Sequence, residues 1–340
     1  MRKVRLGLVG LGFGRSYVTA LGSEVEGLKG LVLAGVAEKT KDRLQGPIAQ
    51  EVKKTGANVY DDCAAMVESE GLDGIILAVS PKFRAETMAL AAEAGLPMLV
   101  EKPFAGSVEH GRQLKDIVEK HDATVMVGFC MRYFPAMVKL RELMDTTLGV
   151  GWLLNGELTL SWCPPVGKHW MWDKLGGGFL NENTVHLFDS VCHLMGEPVA
   201  VHAEGRAFRG SPAPDGAVLT IRFKNGSAAC FMCGGVGSAG FDQEPRINVV
   251  TENGQAILSG ADHMWDALRW SPRGTRDVQS FTSVHPPREQ IIRYSLGHFG
   301  ECIRTGAKPT CSVKEGLTAT AIAMAAYESI EKGEVVEVRA

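Results

Sequence analysis

Over its first 130 residues the chain alternates short, unbroken apolar runs with stretches of helical period. VRLGLVG (4–10), LVLAGVAE (31–38), GIILAV (74–79), PMLVEKP (97–103) and TVMVGF (124–129) predict strands buried on both faces, because they lack the polar alternation of a half-exposed sheet. SYVTALGSEVEG (16–27), AAMVESEG (64–71), RAETMALAAEAG (84–95) and GRQLKDIVEKH (111–121) predict the intervening helices. Strand and helix in strict turn imply a parallel, doubly wound sheet.

Past about residue 150 the texture changes. LLNGELTLSW (153–162), AVHAEGRAF (200–208), AVLTIRF (217–223), SAACFMC (227–233) and RINVVTENGQAILSG (246–260) alternate apolar with polar residues, with Asn-Gly turn signals at 225–226 and 253–254. These predict a large, mostly antiparallel open sheet, and helical segments at 294–306 and 313–333 close the chain. The fold class expected is therefore α/β: a doubly wound domain over residues 1–127 and a second α/β domain over 128–340. At 340 residues the chain is long enough for two cores.

Charge narrows the partners. A formal net charge of -3 lacks the basic excess that nucleic acids or anionic membranes require, so a small molecule is the expected partner. The start MRKVRLGLVG runs into glycines without a signal-length apolar core, and no apolar run has the length of a membrane span; a cytoplasmic location is the expectation. Eight scattered cysteines do not suggest a disulfide framework. Cys230 and Cys233 point to opposite faces of one predicted strand, with no second pair to complete a metal site.

The loop GLVGLGFGRSY (7–17) carries the first chemistry. Gly10 permits a sharp turn out of the strand and Gly12 lets backbone approach a pyrophosphate, so Gly10, Gly12, Phe13, Gly14 and Arg15 are expected to line a dinucleotide. Arg15 stands where a third glycine is usual, with Gly14 one residue early. Glu38, ending the second strand, is placed to accept from a ribose diol and favours NAD; Lys39, Lys41 and Arg43 directly after it keep NADP open.

Glu101 and Lys102 follow a buried strand at the sheet edge where ligands gather. They should point to opposite sides, and the lysine suits proton transfer beside a nicotinamide. The second cluster is GGGFLNENTVHLFDSVCHLMGEP (176–198). A helix from about Asn181 would align Glu182 with His186 and place Asp189 a turn further on, and the three glycines would let backbone pass close to a ligand. Arg132, Trp162, His169, Trp170 and Trp172 offer forked donors and aromatic faces suited to a polyol, and Asn183 and Asp189 join them as substrate contacts.

Taken together, these residues resemble the glucose-fructose oxidoreductase and inositol dehydrogenase family, Gfo/Idh/MocA. The likeness rests on the G-x-G loop, AVSP (78–81), E-K-P (101–103), GFCMRYFP (128–135), GGG-x-L-x-E-x-x-x-H-x-x-D (176–189) and the closing helix, and spans nearly the whole chain. It implies a Rossmann domain whose cofactor also meets Ser80, Pro81, Glu101 and Lys102. It further implies hydride transfer between NAD or NADP and a carbinol carbon of a sugar or polyol, with Lys102 and His186 catalytic and Glu182 beside them. A homodimer or homotetramer through the open sheet is implied as well. Three positions depart from the common pattern: Glu182 with Thr184 replaces D-x-G, Arg84 replaces histidine, and Cys130 replaces asparagine. A non-catalytic sugar or nucleotide sensor on this fold, and an NAD-dependent glycoside-cleaving enzyme, are the alternatives.

Overall fold

A computed structural model of the chain describes residues 2–23, 25, 27–173, 175–241, 244–284 and 286–340. The chain divides into two compact units: Met1–Phe104, Glu109–Cys130 and Pro286–Gly316 make the first, and Ala105–Val108, Met131–His285 and Leu317–Ala340 the second. Where the sequence suggests a single cut after residue 127, a late segment, Pro286–Gly316, belongs to the first unit.

The first unit is built on a six-stranded parallel sheet: β1 (Val4–Val9), β2 (Leu31–Ala37), β3 (Asn58–Tyr60), β4 (Gly74–Leu77), β5 (Met98–Val100) and β6 (Val125–Val127), in the order β3-β2-β1-β4-β5-β6. This order reverses at β1 and β4, so their carboxyl ends open the crevice where such sheets take ligands. Its helices are α1 (Arg15–Leu21), α2 (Pro47–Thr55), α3 (Cys63–Ser69), α4 (Arg84–Glu93) and α5 (Val108–Lys120), joined later by α8 (Arg293–Thr305). Covering both faces explains the unbroken apolar runs: every residue of β4, β5 and β6 is buried. α1 stops at Leu21, short of the predicted helix end, where Gly22 caps it; Glu24 and Glu26 of that prediction lie outside the described residues. β3 and α2 escape the apolar pattern because β3 has no fully buried residue and α2 buries only Ile48 and Val52.

The second unit carries α6 (Pro135–Leu143), α7 (Val185–Met195) and most of α9 (Val313–Lys332). Its nine strands are β7 (Gly151–Thr159), β8 (Pro198–Arg206), β9 (Gly216–Phe223), β10 (Ala228–Gly234), β11 (Arg246–Thr251), β12 (Gly254–Ser259), β13 (Ala267–Pro272), β14 (Gln279–Thr282) and β15 (Val336–Glu337). They lie in the order β14-β13-β12-β11-β7-β10-β9-β8-β15, antiparallel throughout except for the parallel pair β7 and β10. Alternation along β7 buries Leu154, Gly156 and Leu158 and turns Leu153 and Asn155 outward. The Asn-Gly signal at 253–254 is displaced by one residue: Thr251 pairs with Gly254, so Glu252 and Asn253 make the turn. No helix among the described residues is long and apolar enough to cross a membrane.

Candidate functional site

In the first unit the glycine loop leaves β1 at the switch point. Gly10 has φ +90°, the left-handed region that favours glycine. A Cβ on Gly14 would stand 1.9 Å from the Gly10 carbonyl oxygen, so Gly14 supplies the close loop-to-helix packing expected of the missing third glycine, one residue early. A Cβ on Gly12 would meet nothing nearer than Arg43 Nη1 at 3.9 Å. Phe13 is exposed, and Arg15 folds its Nε back toward the Leu11 carbonyl (3.3 Å).

Glu38 is buried against this loop. Its Oε2 accepts from the Leu11 N–H (2.7 Å) and lies 3.5 Å from Arg43 Nη1, while Oε1 accepts from the Thr40 N–H (2.8 Å). Lys39 instead lies 3.9 Å from Glu86 on the surface. The carboxylate thus shapes the loop as well as presenting lone pairs beside it. Ser80 and Pro81 begin a short turn, Pro81–Phe83, just past β4.

Glu101 and Lys102 follow β5, one buried and the other half-buried, and the Lys102–Pro103 peptide is cis. Glu101 is held from both ends: Tyr17 of α1 donates its hydroxyl to Oε1, and the Lys102 N–H donates to Oε2 at 3.0 Å. Burial raises the Glu101 carboxyl above the ordinary carboxylate range, opposed by Tyr17 and Lys102, and burial together with Glu101 pushes the Tyr17 hydroxyl well up. Folding therefore favours the neutral acid, so its contribution to stability is full below the unfolded carboxyl range of about 4.3 and is lost as pH rises through the elevated folded value. Glu101→Gln should accordingly gain melting temperature relative to the wild type as pH rises above the unfolded carboxyl range of about 4.3 in thermal melts; a difference independent of pH would contradict the raised carboxyl.

In the second unit the glycine triplet packs against protein. A Cβ on Gly176 would lie 2.3 Å from the Trp170 and Met171 carbonyls, one on Gly177 2.2 Å from Asn181 Nδ2, and one on Gly178 2.5 Å from the Tyr327 hydroxyl. The expected close approach is thus made by the chain to itself. The helix that follows also departs from expectation. Leu180–Thr184 form a π-turn before α7 begins at Val185, because the Leu180 N–H donates to the Tyr327 hydroxyl (2.8 Å) and Asn181 Nδ2 to the Ala105 carbonyl (2.7 Å), anchoring the entry. Glu182 thus lies in the π-turn and His186 in the first turn of α7.

Glu182, Asn183 and His186 are all buried. Asn183 Nδ2 donates to Glu182 Oε2 (3.2 Å), and His263 Nε2 lies 3.2 Å from Asn183 Oδ1. The rings of His263 and His186 are 6.2 Å apart. His263 sits in the β12–β13 loop beside Asp262, both in the left-handed region at φ 65° and 51°, a strained placement that non-glycine residues hold where the surroundings impose it. Nothing in the local sequence marks it. Arg132 and Asp189 are engaged with each other, Nε to Oδ2 and Nη2 to Oδ1, both at 2.7 Å. Trp162 meets His169 edge-on at 5.4 Å and is partly exposed; His169 Nδ1 accepts from the Met171 N–H, and Trp172 Nε1 donates to the Pro164 carbonyl (3.0 Å). The capping role of His169 and the anchored indole of Trp172 are structural tasks that their sequence positions do not announce.

The first unit fits a dinucleotide. The open space at Gly12 is the room a Cβ would take from a pyrophosphate, and Glu38 stands buried beside the same loop.

Comparison with known proteins agrees with this arrangement. The profile described as "Oxidoreductase family, NAD-binding Rossmann fold" matches residues 4–129, and "Oxidoreductase family, C-terminal alpha/beta domain" matches residues 155–338. The rhizopine catabolism protein MocA of Rhizobium meliloti is 30% identical over 69% of this chain and 72% of its own length. A myo-inositol 2-dehydrogenase of Thermotoga maritima is 24% identical over 97% of each chain. A levoglucosan dehydrogenase solved with NADH and levoglucosan shares the fold at TM-score 0.87, with 20% identity and full coverage of both chains. With both halves matched in order, the chain belongs to the Gfo/Idh/MocA oxidoreductase family.

Proposed function

We propose that this protein is an NAD(P)-dependent dehydrogenase that transfers hydride between the nicotinamide and a carbinol carbon of a sugar, cyclitol or related polyol. The observation that carries the reading is the placement of Lys102 just past β5, in the sheet whose switch-point loop has the open pyrophosphate cradle at Gly12. The names of its relatives lend support: inositol 2-dehydrogenases and a D-xylose 1-dehydrogenase using NADP.

Bound NAD(P) supplies the hydride acceptor or donor. Lys102 and His186 handle the proton of the reacting hydroxyl, so that oxygen loses it as the carbon loses hydride and no full carbocation develops. Glu182 and Asn183, hydrogen-bonded to each other, lie in the π-turn that leads into α7, the helix from which His186 projects. Trp162 offers a partly exposed aromatic face for a polyol.

NAD is the preferred cofactor in this reading, because Glu38 opposes a 2'-phosphate while its oxygens retain lone pairs for a ribose diol. Glu38→Gln keeps an acceptor for Leu11 but drops the charge and frees Arg43. It should lower the NAD-over-NADP ratio of kcat/KM by about tenfold, about 1.4 kcal/mol, in steady-state assays with each cofactor. An unchanged ratio would remove Glu38 from cofactor choice. In this reading assembly uses the open face of the nine-stranded sheet; the exposure of Leu153, Val218 and Met232 on the same side supports it.

The deciding experiment is nicotinamide absorbance across cyclitols, aldoses, anhydrosugars and amino sugars with NAD and NADP. Turnover of at least one is expected. Binding of cofactor with no turnover across the panel would replace the enzyme by a sensor.

A further inference from the structure

Arg84 opens α4 and is the most deeply buried arginine among the described residues, 1% exposed. Two features make this placement costly. A buried cation gives up its hydration, and a cation in the first turn of a helix faces the positive end of the helix dipole. Burial accordingly lowers its pKa to about 9, with Glu101 opposing that shift. Neither the cofactor cradle nor the proton-transfer pair makes use of it.

Its hydrogen bonds go to three backbone carbonyls rather than to a carboxylate. Nη2 donates to Val79 (3.0 Å), just past β4, and Nη1 donates to Phe104 (2.7 Å) and to Pro103. Pro103 and Phe104 are the two residues after Lys102. On the other side of the lysine, its own N–H is held by Glu101 Oε2, and Glu101 is held in turn by Tyr17. A planar guanidinium suits this task because its rigid fork bridges several acceptors in fixed directions.

We infer that Arg84 is a positioning residue for Lys102: its fork ties the end of β4 to the two carbonyls following the lysine, completing a brace whose other arm is the Tyr17–Glu101 pair. Lys102 is flanked by held backbone in both directions, so its ammonium swings from a fixed Cα. The inference rests on Lys102 acting as the catalytic amine only for its effect on rate; the bracing itself is read separately.

The test uses full-length protein with NAD(H) bound and the polyol that the wild type turns over. Arg84→Gln should lower kcat by about 10²-fold, the scale on which a misplaced reacting group is felt, while KM and the NAD(H) dissociation constant move less than about threefold. Hydrogen exchange of peptides covering 98–104 should rise about tenfold, with strands at 246–259 unchanged. Arg84→Lys keeps the charge and most of the volume and should fall between, which guards against a glutamine variant that fails to fold. Turnover near wild type in a folded Arg84 variant where Lys102→Met is disabled, a kcat loss without faster exchange at 98–104, or equal losses in kcat, cofactor affinity and melting temperature would overturn the inference. Faster exchange at 98–104 together with normal turnover by Lys102→Met would leave the brace standing and identify the catalytic reading as the part that fails.

Discussion

Lys102→Met is expected to reduce cofactor-linked turnover by about 10³-fold or more while NAD affinity stays within about threefold of wild type. Methionine nearly matches the length of the lysine stem and suits its half-buried setting, so the change removes proton transfer and charge with little disturbance of packing. The loop that fits the dinucleotide is a separate element of the first unit, Gly10 to Gly14 with Glu38, and does not depend on that side chain. On the proposed roles His186→Asn should cost about 10²-fold, and the double variant should fall short of the product of the two. Steady-state assays and cofactor titration of the folded variants read these outcomes. A Lys102→Met protein turning over near the wild-type rate would take the amine out of the mechanism.

Residues that act through their neighbours in sequence were legible; those that act across the chain were not. The apolar runs of β1, β2, β4, β5 and β6 announced a parallel sheet because burial on both faces erases alternation. The Gly10 to Gly14 loop and Glu38 were legible for the same local reason. Tyr17 could not be read as a partner of Glu101, since 84 residues separate them, and Arg84 lies about 20 residues from the Pro103 and Phe104 carbonyls it holds. Likewise the glycine triplet proclaimed closeness without saying to what; its neighbours prove to be Trp170, Met171, Asn181 and Tyr327. The π-turn has no signature in hydrophobic period, because it is imposed by Tyr327 and Ala105, from remote parts of the chain. His263 came without warning as well, carried by two left-handed residues that no glycine marks.

The buried pair Arg132 and Asp189 should give the largest loss of stability from a single change outside the first unit. Arg132→Met is expected to destabilise the protein by about 3–5 kcal/mol, because it removes the guanidinium that donates to both oxygens of a buried carboxylate. The side chains are 7% and 1% exposed, and the two parallel 2.7 Å bonds are the forked geometry that an ammonium cannot reproduce. Arg132→Lys should therefore recover only part of the loss. The double variant Arg132→Met with Asp189→Leu should be markedly more stable than Arg132→Met alone, since an apolar pair carries no buried charge. Denaturant unfolding of the four proteins gives the comparison. Asp189 lies on α7 one turn past His186, so the pair also fixes the helix from which the imidazole projects. In the double variant, recovery of stability without recovery of kcat would separate that second role from the first, whereas a single-variant loss below about 1 kcal/mol would mean that the carboxylate finds other compensation once the arginine is gone.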